Sequence, residues 1–241
     1  MLEPVLRMYK NLGETPLEAL NRLRLELPEY TDLPMTYAGR LDPMAEGELL
    51  VLTGEECKKK DEYLGMDKEY EFEMLFGFET DSYDILGISI PKDIEQDLIK
   101  QNLEKELLAF QGKRTQSYPP FSSKTIGGVP LFQKTKDGDV FDLPEREIEI
   151  YEIKLLGFRE ISGKNLLEEI KRRVSLVKGD FRQEEILKTW EGNLEGREEE
   201  VFLIGNANMI CSSGTYVRSL VHDLSFPATT FSIKRLRVFK K

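Results

Sequence analysis

The segment that decides how this chain is interpreted lies at residues 37–47 and reads Tyr37-Ala38-Gly39-Arg40-Leu41-Asp42-Pro43-Met44-Ala45-Glu46-Gly47. Glycine permits tight turns and proline fixes the backbone directly after Asp42, so the segment predicts a tightly shaped loop. Such a loop can present a carboxylate rigidly in a cleft. On residue chemistry alone an aspartate that caps a turn is the more common case, so the loop by itself leaves both roles open.

Helical and strand patterns alternate around this loop without a regular βαβ rhythm. Residues 15–27 start with a capping box at Thr15-Pro16-Leu17-Glu18 and continue with leucines at helical spacing. Residues 69–76 alternate acids with large apolar side chains, which is typical of a strand with one buried face. Strands are also expected at 48–53, 147–158, from 201 to Cys211 and at 231–240, and helices at 55–64, 94–110, 164–200 with a break at Gly179-Asp180, and 214–224. These patterns predict an α+β fold with a mixed, mostly antiparallel sheet and flanking helices.

Length and composition narrow the class of protein. The chain has 241 residues, 32% charged and 40% hydrophobic, which predicts one water-soluble domain over residues 1–241. No window approaches the roughly 20 apolar residues that a bilayer-spanning helix requires, and the first ten residues lack a signal-peptide pattern, so a cytoplasmic location is expected. Two cysteines and one histidine cannot form a disulfide framework or the usual four-ligand zinc site.

The charges are segregated along the chain although the net charge is −10. Residues 113–136 carry lysines and arginines without any acid, and Asp223 is the sole acid from residue 207 to the end. Between these basic blocks, residues 137–152 carry seven acids against Arg146 alone. Ordinary solvated faces explain either basic block taken singly, unless a motif places chemistry beside them.

Four segments, in order, resemble the motifs of pseudouridine synthases of the TruB branch. The Asp42 loop resembles the catalytic Gly-x-Leu-Asp pattern, and Asp-Pro-x-Ala-x-Gly is most like TruB. The remaining matches are Lys68-Glu69-Tyr70 followed by the 77–84 turn, Tyr118-Pro119-Pro120-Phe121-Ser122-Ser123-Lys124 with Gly127-Gly128, and Ser213-Gly214-Thr215-Tyr216-Val217-Arg218 with Asp223-Leu224. The resemblance implies the pseudouridine synthase fold with a central RNA-binding cleft.

The resemblance also implies a reaction and its residues. Uridine isomerisation breaks the bond from N1 to the ribose and rejoins the ring through C5, without metal, cofactor or external energy source. Asp42 takes the role of nucleophile, Arg218 that of the cation that keeps it ionised, and Tyr70 stacks on the uracil and assists proton transfer. Tyr216 and Ile233 take the roles of pocket walls. For Tyr70, Tyr216 and Ile233 ordinary core packing is the alternative.

The implied substrate is the T-loop uridine of tRNA, whose base must be extruded to be reached. Lys68, Lys124, Lys134 and the C-terminal basic cluster are then expected to contact phosphates. Tyr37 stands where bacterial TruB enzymes commonly have histidine, and Arg40 resembles the sibling RluA and RsuA branches, so either could fill the gap left by the base. His222 is expected to be structural or close to RNA rather than a general base.

Three further expectations concern organisation and partners. Residues 113–136 form a long basic thumb-like loop or hairpin, 159–200 an acidic helical insertion, and no C-terminal PUA domain follows. A monomer that binds RNA but neither membrane nor metal is expected. Two alternatives stay open: a synthase for another RNA stem-loop, and a non-catalytic RNA chaperone or binding protein.

Overall fold

A computed structural model describes residues 2–240. Its strands are β1 Val5–Lys10, β2 Met35–Ala38, β3 Ala45–Thr53, β4 Asp67–Phe76, β5 Phe78–Thr80, β6 Ser89–Pro91, β7 Gly112–Ser117, β8 Thr125–Ile126, β9 Val129–Pro130, β10 Glu145–Ser162, β11 Val201–Cys211 and β12 Ala228–Phe239. Its helices are α1 Pro16–Glu26, α2 Lys60–Leu64, α3 Gln96–Ala109, α4 Leu131–Lys136, α5 Gly163–Ser175, α6 Gln183–Leu194 and α7 Val217–His222, with 3-10 turns at Pro28–Tyr30 and Gly54–Lys59.

One large sheet organises the fold. Its order is β1-β3-β12-β4-β11-β10-β7, with β2 paired to β3 as an eighth strand. The β12–β3 pair is parallel and the other pairs of this sheet are antiparallel. The expectation of an α+β fold with a mixed, mostly antiparallel sheet is therefore confirmed. Because β12 pairs with β3, residues 233–235 lie beside the start of β3, directly after the loop that carries Asp42.

The alternating sequence of β4 places its apolar side chains on one face of the sheet. Tyr70, Phe72 and Met74 are buried on that face, where they pack in one cluster with Leu103 of α3 and Leu220 of α7. Glutamates occupy the alternate positions and stay partly accessible. The period-two pattern thus covers this face with α3 and α7, and it places α7, which carries Arg218, beside Tyr70.

The α5–α6 helix pair covers the opposite face of the large sheet and packs against the turn at residues 77–84. Trp190 of α6 is fully buried and its ring centroid lies 4.9 Å from that of Phe78. Its indole Nε1 donates to the carbonyl of Ile85 at 3.2 Å. These helices lie where the sequence predicted helices, and the break between them spans residues 176–182.

The segment at 113–136 differs from the expected loop or hairpin. Its first part belongs to β7, at the edge of the large sheet, and its last part is α4, so the hairpin is limited to β8 and β9. The sequence of β7, Gly-Lys-Arg-Thr-Gln-Ser, is polar on both faces, as an edge strand permits. It therefore lacks the alternation by which β4 is recognised.

Several boundaries also shift. β10 continues to Ser162, beyond the expected end at 158, through an irregularity between Leu155 and Gly157. α7 starts at Val217 rather than near Gly214, because Gly214 has a φ of +79° that a right-handed helix cannot contain. The capping box of α1 forms as predicted, since Thr15 accepts from the Glu18 amide and Glu18 accepts from the Thr15 amide.

Candidate active site

Two buried cations hold the Asp42 loop between β2 and β3. Lys10 is fully buried and donates to the carbonyl of Ala45 at 2.6 Å. Arg235 of β12 donates to the carbonyls of Glu48 at 2.6 Å and Arg40 at 3.3 Å. Burial lowers the pKa of Lys10 to about 8. These contacts fix the loop backbone on both sides of the aspartate.

Asp42 and Arg218 form the central ion pair of the site. Nε of Arg218 lies 2.9 Å and Nη2 2.8 Å from Oδ2 of Asp42. The Arg218 side chain is 3% exposed, whereas that of Asp42 is 35% exposed. The guanidinium also donates to the carbonyls of Ser82 at 2.8 Å and Phe121 at 3.1 Å. The arginine is thus fixed within the protein, while the carboxylate can reach a ligand.

Asp84 is a second carboxylate beside Arg218, to which the sequence analysis gave no role. Its Oδ2 lies 3.6 Å from Nε of Arg218, and its Oδ1 accepts from the Ser82 hydroxyl at 2.8 Å and the Leu86 amide at 3.0 Å. Burial raises the pKa of the Asp84 carboxyl to about 6, against the opposing effect of Arg218. Burial alone would lower the pKa of Arg218, but the charges of Asp42 and Asp84 raise it. Asp84 lies in the 77–84 turn, so the resemblance of this turn to a TruB motif is the sequence feature from which a role for Asp84 could have been predicted.

A cavity of about 470 Å³ opens in front of Asp42. Of the predicted site residues, the structure places Arg40, Asp42, Lys68, Tyr70, Tyr216, Arg218 and Ile233 in its wall. Tyr70 is 8% and Ile233 7% exposed, so both present little more than one surface to the cavity. Burial raises the pKa of Tyr70, and it raises that of Tyr216 to about 12. Both phenols therefore stay protonated near neutral pH and can donate a hydrogen bond.

A second cavity of about 350 Å³ also has Asp42 and Arg218 in its wall. Tyr37 lines this second cavity and not the first, and Arg40 lines both. The ammonium of Lys60 lies 5.2 Å from the centre of the Tyr37 ring. The two residues expected to fill the gap left by an extruded base thus line a cavity that Asp42 also lines.

The predicted phosphate contacts do not lie together. Lys68 is 5% exposed and donates to the carbonyls of Leu64, at 3.2 Å, and Met66. Lys124 is exposed, with its ammonium 5.4 Å from the centre of the Tyr118 ring, and Lys134 pairs with Asp139 at 3.1 Å. Neither Lys124 nor Lys134 lines either cavity. Phosphate binding by these three lysines stays a prediction.

His222 stacks on Tyr83, with ring centroids 3.7 Å apart and planes 8° from parallel. It lines neither cavity, which agrees with a structural position. Within residues 2–240, no group of three or more histidine, cysteine, aspartate or glutamate side chains is arranged to hold a metal ion. No helix in the same range has both the length and the apolar character required to cross a membrane.

Comparisons with known proteins agree with this architecture. The chain is 36% identical over 188 residues to tRNA pseudouridine synthase B of Xanthomonas oryzae pv. oryzae, covering 78% of this chain and 47% of that protein. It is 26% identical over 239 residues to tRNA pseudouridine synthase B of Borrelia garinii subsp. bavariensis, covering 97% and 68%. The chain therefore spans about half the length of the first of these relatives.

Solved structures and a family model extend the comparison. A Cbf5-Nop10-Gar1 complex contains a chain that matches 97% of this one over 48% of its own length, with a TM-score of 0.54 and 18% identity, which supports the fold alone. The model of the TruB family pseudouridylate synthase N-terminal domain matches residues 34–182, a range that contains Asp42, Tyr70 and Asp84. This chain therefore belongs to the TruB family of pseudouridylate synthases.

Proposed function

We propose that this chain isomerises uridine to pseudouridine in RNA, with Asp42 as the nucleophile. The observation that carries the proposal is a partly exposed carboxylate fixed by a buried arginine at the wall of a cavity lined by Tyr70 and Ile233. Cavities of this volume accommodate small-molecule groups such as a nucleobase. The family membership supports the same chemistry.

The arrangement of groups fits an isomerisation that needs no external reagent. The bond from uracil N1 to ribose C1′ breaks and a bond from C5 to C1′ forms, while the proton lost from C5 is balanced by a proton gained at N1. The carboxylate of Asp42 can attack either ribose C1′ or ring C6, while Arg218 holds its Oδ2 atom in both cases. The ring of Tyr70 provides a flat surface for the uracil, and its phenol, which burial keeps protonated, can donate a hydrogen bond beside it.

The substrate that we propose is the T-loop uridine of tRNA. The relatives that match most of this chain are named tRNA pseudouridine synthase B. A uridine inside a folded loop must leave its stack before Asp42 can reach it, at a cost of a few kcal/mol. Tyr37 and Arg40, beside the second cavity, are positioned to fill the space that the base leaves. A monomer acting on tRNA in the cytoplasm is part of this proposal.

One experiment tests the function and separates it from the alternatives. The purified protein is incubated with unmodified tRNA transcripts, and pseudouridine is mapped at single-nucleotide resolution. Product at the T-loop uridine supports the proposal. Product at another stem-loop would identify a different substrate, and tight binding without any product would favour an RNA chaperone or binding protein.

A further inference from the structure

Arg146 extends from the start of β10 into the wall of the 470 Å³ cavity. The sequence shows it merely as a lone cation in an acidic block. In the sheet it pairs in register with Gln116 of β7. A Cβ atom built on Gly214 would lie 1.7 Å from Nη1 of Arg146, which shows that the guanidinium packs directly against Gly214. The absence of a side chain at position 214 therefore makes room for the guanidinium.

The other cations of this cavity have protein partners or face solvent. Arg218 is paired with Asp42, and both Lys68 and Arg235 donate to backbone carbonyls. Arg40 is exposed. Arg146 is half-buried, and within residues 2–240 its buried Nε has no hydrogen-bond partner and its guanidinium forms no ion pair. Burying part of a cation without a partner is costly, so this position calls for an anion from outside the protein.

The excess of positive charge in the cavity wall also favours binding of an anion. Five cationic side chains, Arg40, Lys68, Arg146, Arg218 and Arg235, line it together with one acid, Asp42. Burial lowers the pKa of Lys68 to about 8, and the charges of Arg235 and Arg146 contribute to that shift. Arg146 and Arg235 are thus close enough to Lys68 to repel its ammonium, and an anion bound at Arg146 would relieve this repulsion.

We propose that Arg146 binds a phosphodiester that flanks the extruded uridine. A guanidinium can contact two phosphate oxygens at once, which fixes position as well as charge. Its location beside Gly214, in the wall that also holds Tyr216, places this contact at the edge of the same cavity as Asp42. The inference rests on the proposed function, and it adds a residue that holds the nucleotide while the base is isomerised.

Coupling between protein and RNA changes tests the contact. The variants are Arg146→Gln and Arg146→Lys, and the control is Lys154→Gln, an exposed lysine on the same strand that lines neither cavity. The RNA is a T-arm hairpin in which the phosphate 5′ or 3′ of the target uridine is replaced by an uncharged methylphosphonate. Dissociation constants and single-turnover rates are measured for each combination.

Arg146→Gln should weaken binding of the unmodified hairpin by about 10- to 100-fold, the range for a lost charged hydrogen bond. One methylphosphonate should weaken the parent similarly but affect Arg146→Gln by less than about threefold, because the contact is already absent. Arg146→Lys should recover part of the affinity, and Lys154→Gln should behave like the parent.

Fully additive losses at both phosphates would overturn the proposal, since a merely structural Arg146 would be indifferent to the RNA charge. Pseudouridine formation by the parent enzyme is scored separately on the unmodified hairpin. Absence of product would overturn the proposed function, whereas the binding cycle would still decide whether Arg146 contacts a phosphate.

Discussion

Arg218 directs two nitrogen atoms at the same oxygen of Asp42, since Nε lies 2.9 Å and Nη2 2.8 Å from Oδ2. Within residues 2–240, Oδ1 of Asp42 takes part in no side-chain hydrogen bond. One carboxylate oxygen therefore anchors the side chain, and the other is left for a substrate in the cavity. Substitutions at Asp42 and at Arg218 test these two roles of the carboxylate separately.

Asp42→Asn keeps the size of the side chain but removes its negative charge. We expect single-turnover pseudouridine formation to fall by at least about a thousandfold, with the dissociation constant for RNA largely unchanged, because the nucleophile is lost and the binding surface is kept. Glu46→Gln, at the start of β3 directly after the loop but outside both cavities, is the matched control. Substantial product from the Asp42→Asn variant would remove Asp42 from the mechanism.

Arg218→Lys keeps the positive charge but loses the planar guanidinium. A single ammonium cannot contact Asp42 and the carbonyls of Ser82 and Phe121 in the geometry found here. We expect kcat at saturating RNA to fall by about a hundredfold or more, at the level of one lost electrostatic contact in a catalytic site. Arg237→Lys, on an exposed side chain of β12, is the control. Parent-like turnover would show that Arg218 does not position Asp42.

The raised pKa of Asp84 predicts a pH dependence of stability. Its pKa is about 6 in the folded protein against 3.8 ordinarily, because burial favours the neutral acid. The favourable contribution of the protonated acid to folding is therefore complete below pH 4 and is lost as the pH rises through 6. We expect the unfolding free energy of Asp84→Asn, relative to the parent, to increase between pH 4 and 7 and then level off. Urea denaturation across this range measures it; a difference that is flat or falls with pH would contradict the assigned shift.

The residues of the site that the sequence could predict follow local patterns. Asp42 and Tyr70 lie in short segments that resemble TruB motifs, the first in a loop with a distinctive arrangement of glycine and proline and the second on the buried parity of an alternating strand. Both signals are contained within a few neighbouring residues. The α+β fold could be predicted for the same reason, because the hydrophobic periodicity of β4 and of α1 is visible in their own sequences.

The residues that the sequence could not assign depend on long-range contacts. Asp84 contacts Arg218 across 134 positions of the chain, and Arg235 contacts the Glu48 carbonyl across 187. Lys10 and Arg235 would be placed on the surface by residue type, but backbone carbonyls of the Asp42 loop satisfy them in the interior. The Arg235 contacts arise because β12 returns beside β3, the Lys10 contact because β1 pairs with β3, and the Asp84 contact because α7 packs beside the 77–84 turn. No local pattern encodes these arrangements.

Trp190 links the α5–α6 helices to the turn that carries Asp84. It packs on Phe78 and donates to the carbonyl of Ile85, the residue after Asp84. We expect Trp190→Ala to lower the unfolding free energy by about 3–5 kcal/mol, as large truncations in a core do, and to reduce kcat as the turn loosens. Urea unfolding followed by circular dichroism measures the first effect.

The exposed neighbour Lys188 on the same helix provides a control, and Lys188→Ala should change stability by no more than about 0.5 kcal/mol. A loss below about 1 kcal/mol for Trp190→Ala would mean that the helix pair does not support the turn. Reduced stability with parent-like kcat would separate the two roles of the tryptophan.

The salt dependence of RNA binding should reflect the ion pairs that the thumb-like segment already forms. Lys134 pairs with Asp139 and Lys136 with Asp180, whereas Lys124 is exposed beside Tyr118. A lysine that must give up an acid to bind phosphate releases fewer counterions in total. Changing all three to glutamine should therefore reduce the magnitude of the negative slope of log affinity against log salt by about one unit, near the roughly 0.7 to 0.9 of a single contact. Lys124→Gln alone should reproduce most of this change, and Lys134→Gln alone little of it. A decrease of two units or more would show that both ion pairs open on RNA, and an unchanged slope would place the RNA away from this segment.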